Sequence, residues 1–278
     1  MSTCAAWNRA VPVPVRPLLA AVAISAATAA FPVHAEFAVA ISPPRFELEA
    51  KGGELLRRTM EITSSSVKPA VLSVRTADWT YEQDGSVRFS QELAPQSCRP
   101  WVAIERRELT VSSGKPYRFR FEVAPPAGTT PVECRFAILI EGQDEHAGAG
   151  GVQVPFNAQL AVIVYVGVNG VQPKLSVIGS GVEMLNGQPT PTLQVRNDGT
   201  GHGRLDGFLS GVDADQVSLD FVPSNAPILP GEVRHVPLLA TRRGDPDTNV
   251  TARFPVTVKG KLEWGRDQSQ PFEQRFDR

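Results

Sequence analysis

The stretch VQVPFNAQLAVIVYV, residues 152–166, decides the fold class of this 278-residue chain. Its even-numbered positions are all apolar, whereas its odd-numbered positions are polar or proline as far as Gln159 and apolar from Ala161 onward. A period of two is that of a β-strand, because successive side chains point to opposite faces. The stretch therefore predicts one long strand from Val152 to Val166, with only its second half buried on both faces.

The same alternation recurs along the rest of the chain, in residues 59–63, 71–75, 117–123, 193–196 and 254–258. Turn signals such as Asp84-Gly85, Asn186-Gly187 and Pro230-Gly231 separate these segments, and no segment has a convincing helical period. Short strands joined by turns of this kind predict an all-β protein built from immunoglobulin-like sandwiches.

The length of the chain predicts two such sandwiches, because one of them needs only about 100 residues. The run Gly167-Val168-Asn169-Gly170, which follows the long strand, is a candidate boundary. We expect a first domain over residues 37–167 and a second over residues 172–278.

The first 35 residues have the features of a secretory signal peptide. Arg9 and Arg16 are their only charges, an apolar run starts at Leu18, and the segment closes with Val33-His34-Ala35. A basic start, an apolar middle and a small-x-Ala end are typical of a cleaved signal. A membrane anchor is the alternative, but the apolar run is only about 14 residues long against the roughly 20 that a spanning helix needs. We expect residues 1–35 to be removed on export.

Composition and cysteine content agree with export. The chain has 28 Lys and Arg against 29 Asp and Glu. This balance lacks the excess of basic residues that is typical of nucleic-acid-binding proteins. Cys4 leaves with the signal peptide, and the remaining pair, Cys98 and Cys134, predicts one disulfide in an oxidising compartment. Two free thiols or a metal site are the alternatives, and no nearby histidine favours the metal.

The residues give no indication of catalysis. The histidines of the mature chain, His146, His202 and His235, have no ligand-like spacing to one another or to other metal-binding residues. The glycine-rich run at residues 199–203 sits in a turn between strands rather than before a helix, so it does not predict a phosphate loop. We expect no enzyme activity, no cofactor and no bound metal.

Seven segments carry a resemblance that covers essentially the whole mature chain. In chain order they are Pro43–Leu48, Ser97–Ile104, Leu109–Gly114, Arg120–Pro126, Cys134–Glu141, Val195–Gly199 and Ile228–Arg234. In this order they resemble the PapD-like periplasmic chaperones of chaperone–usher pilus assembly, and their details are more similar to the divergent, archaic-type branch than to the classical one. The resemblance implies two immunoglobulin-like domains in an L-shaped arrangement, a periplasmic location and a monomeric free state.

The resemblance also implies a mechanism. Chaperones of this family lend an apolar strand to a pilin subunit that lacks its last strand, and they deliver the subunit to an outer-membrane usher. The candidate plugs are the apolar side chains in the first half of the long strand: Val152, Val154, Phe156, Ala158 and Leu160. Pro155 cannot donate a ladder hydrogen bond, which predicts that this half lies at a sheet edge or a bulge. The alternative is that these side chains face the domain's own core.

Arg45 matches the first of two basic residues that hold the subunit's terminal carboxylate in this family, and its guanidinium suits that group. The second, a lysine, is missing, since Val162 stands at the corresponding position. Arg118 and Arg120, which share one strand face, are candidate helpers. Ordinary surface arginines are the alternative at these positions. For the whole chain, a secreted two-domain adhesion or surface-binding module is the alternative function.

Overall fold

The computed structural model of the chain describes residues 38–66, 68–82, 85–142, 146–147, 154–155 and 158–278. Over these residues the chain is almost entirely β, and no helix among them is long and apolar enough to cross a membrane. One hydrophobic core is built from residues between Leu48 and Val168, and a second from residues between Leu175 and Phe276. The predicted all-β fold with two sandwiches is confirmed, while the exact domain limits stay a prediction.

The first sandwich packs two sheets against each other. Its described strands are β1 (Val39–Ser42), β2 (Arg45–Ala50), β3 (Leu56–Ser64), β4 (Ala70–Tyr81), β5 (Val87–Ser90), β6 (Val102–Ile104), β7 (Glu108–Val111), β8 (Tyr117–Val123), β9 (Val132–Gly142), β10 (His146–Ala147), β11 (Val154–Pro155) and β12 (Gln159–Val168). A 3-10 turn, Arg99–Trp101, precedes β6. One sheet has the order β1-β3-β8-β6, and the other has the order β2-β12-β9-β4-β5, with β7 also paired to β4.

The alternation of β8 explains the core between these sheets. Phe119 and Phe121 point inward and are buried, and the ring of Phe121 meets Phe46 and Phe136 edge to face at centroid distances of 5.2 and 6.3 Å. Aromatic pairs prefer this geometry, which adds to the stabilisation from apolar burial. The two facing sheets are thereby held together by side chains from β2, β8 and β9.

The second sandwich is one hydrogen-bonded ribbon folded into two layers. Its strands are β13 (Leu175–Leu185), β14 (Gln188–Asn197), β15 (Asp206–Val212), β16 (Ser218–Pro223), β17 (Val233–Arg242), β18 (Asp245–Asn249), β19 (Val256–Trp264) and β20 (Gln268–Phe276). Their order is β13-β14-β17-β16-β15-β19-β20, with β18 on β17. Strand β17 joins the layers, because its first half pairs with β14 and its second half pairs with β16.

The prediction of one continuous strand from Val152 to Val166 is wrong in the described part of the chain. Strand β12 begins at Gln159, and Val154–Pro155 forms β11, which pairs with His146–Ala147 of β10 in a separate two-stranded sheet. Pro155 has no N–H, so a strand through it lacks one donor for the ladder that β12 makes with β9. The predicted disulfide is present between Cys98 and Cys134, whose Cα atoms are 5.4 Å apart.

Candidate functional site

The first half of β12 has an open edge. Over Gln159–Val168 the strand pairs antiparallel with β9, but on its other side it pairs with β2 only from Ile163 onward. Among the described residues, Gln159–Val162 therefore has a strand partner on one side only. An unpaired edge presents a row of free N–H and C=O groups that can pair with another chain.

Two prolines explain where the edge opens. Strand β1 pairs with β3 in one sheet and β2 pairs with β12 in the other, so the chain changes sheets across Pro43-Pro44. The last ladder bond runs from the N–H of Ile163 to the carbonyl of Pro44, over 3.2 Å. By the alternation of a parallel ladder, the carbonyl of Ala161 would next accept from the N–H of residue 44, and proline has none. The sequence thus ends the β2–β12 ladder at this point.

The side chains of β12 divide between two faces. Val162, Val164 and Val166 are fully buried in the core of the first sandwich. Leu160 and Ala158 continue the same face beyond the buried core and are only half-buried. Apolar side chains that continue a core face past the core itself can fill a groove in a second protein.

The structure describes the predicted plugs only in part. Leu160 lies on the open edge, and Ala158 directly precedes it. Val154 is described only as backbone paired to Ala147, and Val152 and Phe156 lie outside the described residues. The assignment of all five residues as plugs stays a prediction.

Arg45 lies at the start of β2, beside the open edge. Its register partner on β12 is Ile163, and its Nε atom is 3.0 Å from Oε1 of Glu47. Both side chains are nearly half-exposed, so the pair contributes little to stability. Val162, where the resemblance expects a second basic residue, points into the core and is fully buried. The side chain next to Arg45 across the ladder is the apolar one of Ile163.

The structure does not bring the two candidate helpers to Arg45. Arg118 and Arg120 lie on β8, in the other sheet, and both are exposed while Phe119 between them is buried in the core. The two arginines therefore face away from the core on one side of the sandwich. Arg45 faces away from it on the opposite side, because its neighbour Phe46 packs into that core.

The sequence did not predict a cluster of charged and aromatic side chains between the two sandwiches. His202 of the second sandwich places its ring Nδ1 atom 2.7 Å from Oε2 of Glu133 on β9, and its backbone N–H donates to the same oxygen over 3.0 Å. Its Nε2 atom is 3.6 Å from Oε1 of Glu47, which is also 3.7 Å from Nε of Arg204. The ring of His202 stacks on Tyr165 of β12 at a centroid distance of 4.0 Å. These contacts line a cleft of about 740 Å³ between the sandwiches.

The loop that carries His202 is held by the fully buried side chain of Asn197. The Asn197 amide donates to the carbonyls of Gly201 and Ile228 over 2.9 and 2.8 Å, and its oxygen accepts from the N–H groups of Lys174 and Gly199. A Cβ atom at Gly199 would lie 2.4 Å from the backbone of residues 172 and 174, so glycine is needed there. The Asn-Asp-Gly signal of the sequence therefore has a structural role, which is to position His202.

The fold and the site define a class: a two-sandwich β-protein with an open, apolar strand edge next to a charged cleft. Several solved structures of fimbrial chaperones are similar in structure to this chain. The class 5 fimbriae chaperone CfaA has a TM-score of 0.47 and 13% identity, over 86% of this chain and 98% of that one. The CupB2 chaperone of Pseudomonas aeruginosa has a TM-score of 0.43 and 11% identity, over 84% and 97%.

A third solved structure contains a bound subunit. It is the CsuC–CsuE chaperone–tip adhesion subunit pre-assembly complex from archaic chaperone–usher Csu pili of Acinetobacter baumannii, with a TM-score of 0.41 and 11% identity over 71% of this chain and 88% of that one. No family model matches the sequence, and no curated protein matches it.

Proposed function

We propose that this chain is a periplasmic chaperone that binds pilin-type subunits by lending them the open edge of β12. The observation that carries the proposal is the free edge at Gln159–Val162 beside the half-buried side chain of Leu160. The seven sequence segments that resemble chaperone–usher chaperones support the same role and add an outer-membrane usher as the second partner.

Backbone and side chains would contribute separately to such a complex. In a regular strand the N–H and C=O of alternate residues point the same way, and Ile163 directs its N–H toward β2. Gln159 and Ala161 therefore direct theirs to the open side, where a subunit strand could pair with them. Leu160 and Ala158 would enter the subunit's groove, and full burial of a leucine is worth about 1.5–3 kcal/mol.

Arg45 is our proposed contact for a carboxylate of the subunit. It lies at the same edge, it is half-exposed, and its present partner is the equally exposed carboxylate of Glu47 on its own strand. A carboxylate from another chain could replace Glu47 with little loss, because exposed ion pairs are weak. A guanidinium can bind the incoming group through two parallel N–H donors.

Co-expression tests the proposal. A tagged form of this chain is produced in the periplasm together with a pilin-type subunit of the source organism, and the amount of subunit that co-purifies is measured. We expect a stable one-to-one complex with the unmodified chain. Leu160→Asp should reduce the affinity at least about 100-fold, because a charge then enters an apolar groove in place of a leucine.

Val71→Asp is the matched control, since Val71 is an exposed apolar strand residue of the same sandwich that lies on β4, which β9 separates from β12 in the sheet. It should bind the subunit like the unmodified chain. If Leu160→Asp is folded and still binds the subunit normally, the donor edge is not β12. If no pilin-type subunit binds and the chain fractionates with the cell surface, an adhesion module replaces the chaperone as the better proposal.

A further inference from the structure

The contact between the two sandwiches is asymmetric in charge. The second sandwich contributes basic side chains and the first contributes acidic ones: His202, Arg204 and Arg266 face Glu47, Glu49 and Glu133. The Arg266–Glu49 pair is about three-quarters exposed on both sides, so it adds little. The His202–Glu133 pair is different, because the side chains are only 9% and 6% exposed.

Both ring nitrogens of His202 face a carboxylate oxygen. Nδ1 faces Oε2 of Glu133 at 2.7 Å, and Nε2 faces Oε1 of Glu47 at 3.6 Å. A neutral imidazole carries one N–H, so it could serve only one carboxylate and would turn a lone pair toward the other. The imidazolium ion carries two N–H donors and a positive charge, so it satisfies both carboxylates at once.

We propose that His202 is a protonation-dependent latch that holds the second sandwich against β2, β9 and β12 of the first. With the proton bound, one ring joins acidic groups on two of these strands while it stacks on Tyr165 of the third. Without the proton, the contact with Glu47 is lost and the buried carboxylate of Glu133 faces an uncharged ring. The latch does not depend on the proposed function.

Charged and titratable groups surround His202 and the residues that it contacts, Tyr165 and Glu47. They are Glu133 and Arg135 on β9, Glu47 and Arg45 on β2, Tyr165 on β12, and Arg204 next to it in its own loop. Arg135 lies over the ring of Trp79, 5.2 Å from its centroid. Burial raises the pKa of Tyr165 to about 12, so this phenol stays neutral at physiological pH.

Two opposing effects set the protonation of His202. Burial alone lowers the pKa of the imidazole, but the hydrogen bond with Glu133 and the nearby carboxylate of Glu47 outweigh it, so the pKa lies above its ordinary value of 6.5. The ring of His202, which lies close to the Glu47 carboxylate, lowers the pKa of that carboxyl to about 2. The geometry of the cluster and these directions therefore agree that the charged form of the latch is the favoured one.

The directions of the two pKa shifts define the pH range in which the latch is strongest. The raised pKa of His202 means that its contribution is complete below 6.5 and is lost as the pH rises through the folded-state pKa. The lowered pKa of Glu47 means that its contribution is present above 4.5 and is lost as the pH falls toward 2. The latch is strongest between 4.5 and 6.5, where both groups are charged.

Distance measurements between the sandwiches test the latch. Spin labels are attached at Ser112→Cys in the first sandwich and Ser180→Cys in the second, both exposed positions. We expect a narrow distance distribution at about pH 5.5 and a clearly broader one at a pH above the folded-state pKa of the imidazole, which NMR titration of the same protein gives. In His202→Gln the distribution should be broad at both pH values.

His235→Gln is the matched control, because His235 also contacts a glutamate, Glu183, but within the second sandwich. It should keep the pH dependence of the unmodified chain. Glu133→Gln provides a second readout: the imidazole pKa of His202, followed by NMR, should fall when its carboxylate partner is removed. A distribution that is equally narrow at both pH values, or in His202→Gln, would overturn the latch. So would an imidazole pKa that Glu133→Gln leaves unchanged.

Discussion

Removal of the disulfide should destabilise the first sandwich selectively. The bond joins Cys134 on β9 to Cys98, which lies just before the turn that leads into β6, and both sulfur-bearing side chains are buried. A cross-link reduces the entropy of the unfolded chain, and the separation of 36 residues corresponds to about 4 kcal/mol. That is a large part of the 5–15 kcal/mol by which a typical domain is stable.

Urea denaturation of the double variant Cys98→Ala/Cys134→Ala measures this contribution. With a slope of about 2 kcal/mol per molar urea, a loss of about 4 kcal/mol lowers the midpoint of the first sandwich by about 2 M. The second sandwich has a separate core and no cysteine, so its transition serves as the internal control. Trp79 and Trp101 report on the first sandwich and Trp264 on the second, which lets single-tryptophan variants follow each transition.

Two results would refute this reasoning. If the double variant unfolds at the same urea concentration as the oxidised chain, the cross-link does not restrict the unfolded state as the loop length requires. If both transitions shift together, the sandwiches do not unfold independently, and the effect cannot be assigned to the first core. Reduction of the unmodified chain with dithiothreitol after unfolding must reproduce the variant's behaviour.

Two further substitutions probe the cleft and its support. Asn197→Ala should lower the free energy of unfolding of the second sandwich by about 3 kcal/mol, because a fully buried side chain that makes four hydrogen bonds is removed. Urea denaturation measures this loss. A loss below about 1 kcal/mol would contradict the prediction. Glu47→Gln should lower the imidazole pKa of His202, because a carboxylate partner that raises it is replaced by a neutral amide; NMR titration of the imidazole checks this, and an unchanged or higher pKa would contradict it.

The sequence predicts those features of the fold that a local pattern of residues determines. The alternation of β8 predicts its buried face, and the even-numbered run of β12 from Val162 to Val166 predicts its core contacts. The cysteine pair predicts the disulfide, because only two cysteines follow the predicted signal peptide. Each of these features depends on the identity of residues within one short segment or on a count.

The open edge depends on a partner that is distant in sequence. Its limit is set by β2, whose Arg45 pairs with Ile163 more than 100 residues later. Alternation within β12 cannot tell which of its residues have β2 beside them. Pro43 and Pro44 were visible in the sequence, but their effect on β12 becomes clear only once the parallel pairing is known.

The sequence does not predict the inter-sandwich contacts of His202, for a similar reason. Its partners Glu133 and Glu47 lie on strands of the other sandwich, 69 residues away in the first case, and no spacing rule connects them. A signal was nevertheless present in the glycines on either side of His202 and the Asn-Asp-Gly turn before them. Such a run requires a fixed loop shape, and a single histidine in a fixed loop is a candidate for an inter-domain contact.

The open edge and the cleft are linked through the two faces of one strand. On β12 the even-numbered side chains, including Leu160, face the core and its continuation, whereas Ile163 and Tyr165 face the side where His202 lies. A strand added to the open edge would extend this sheet next to the residues that hold the second sandwich in place. Any partner at Gln159–Val162 would therefore come close to Arg45 and the charged cleft.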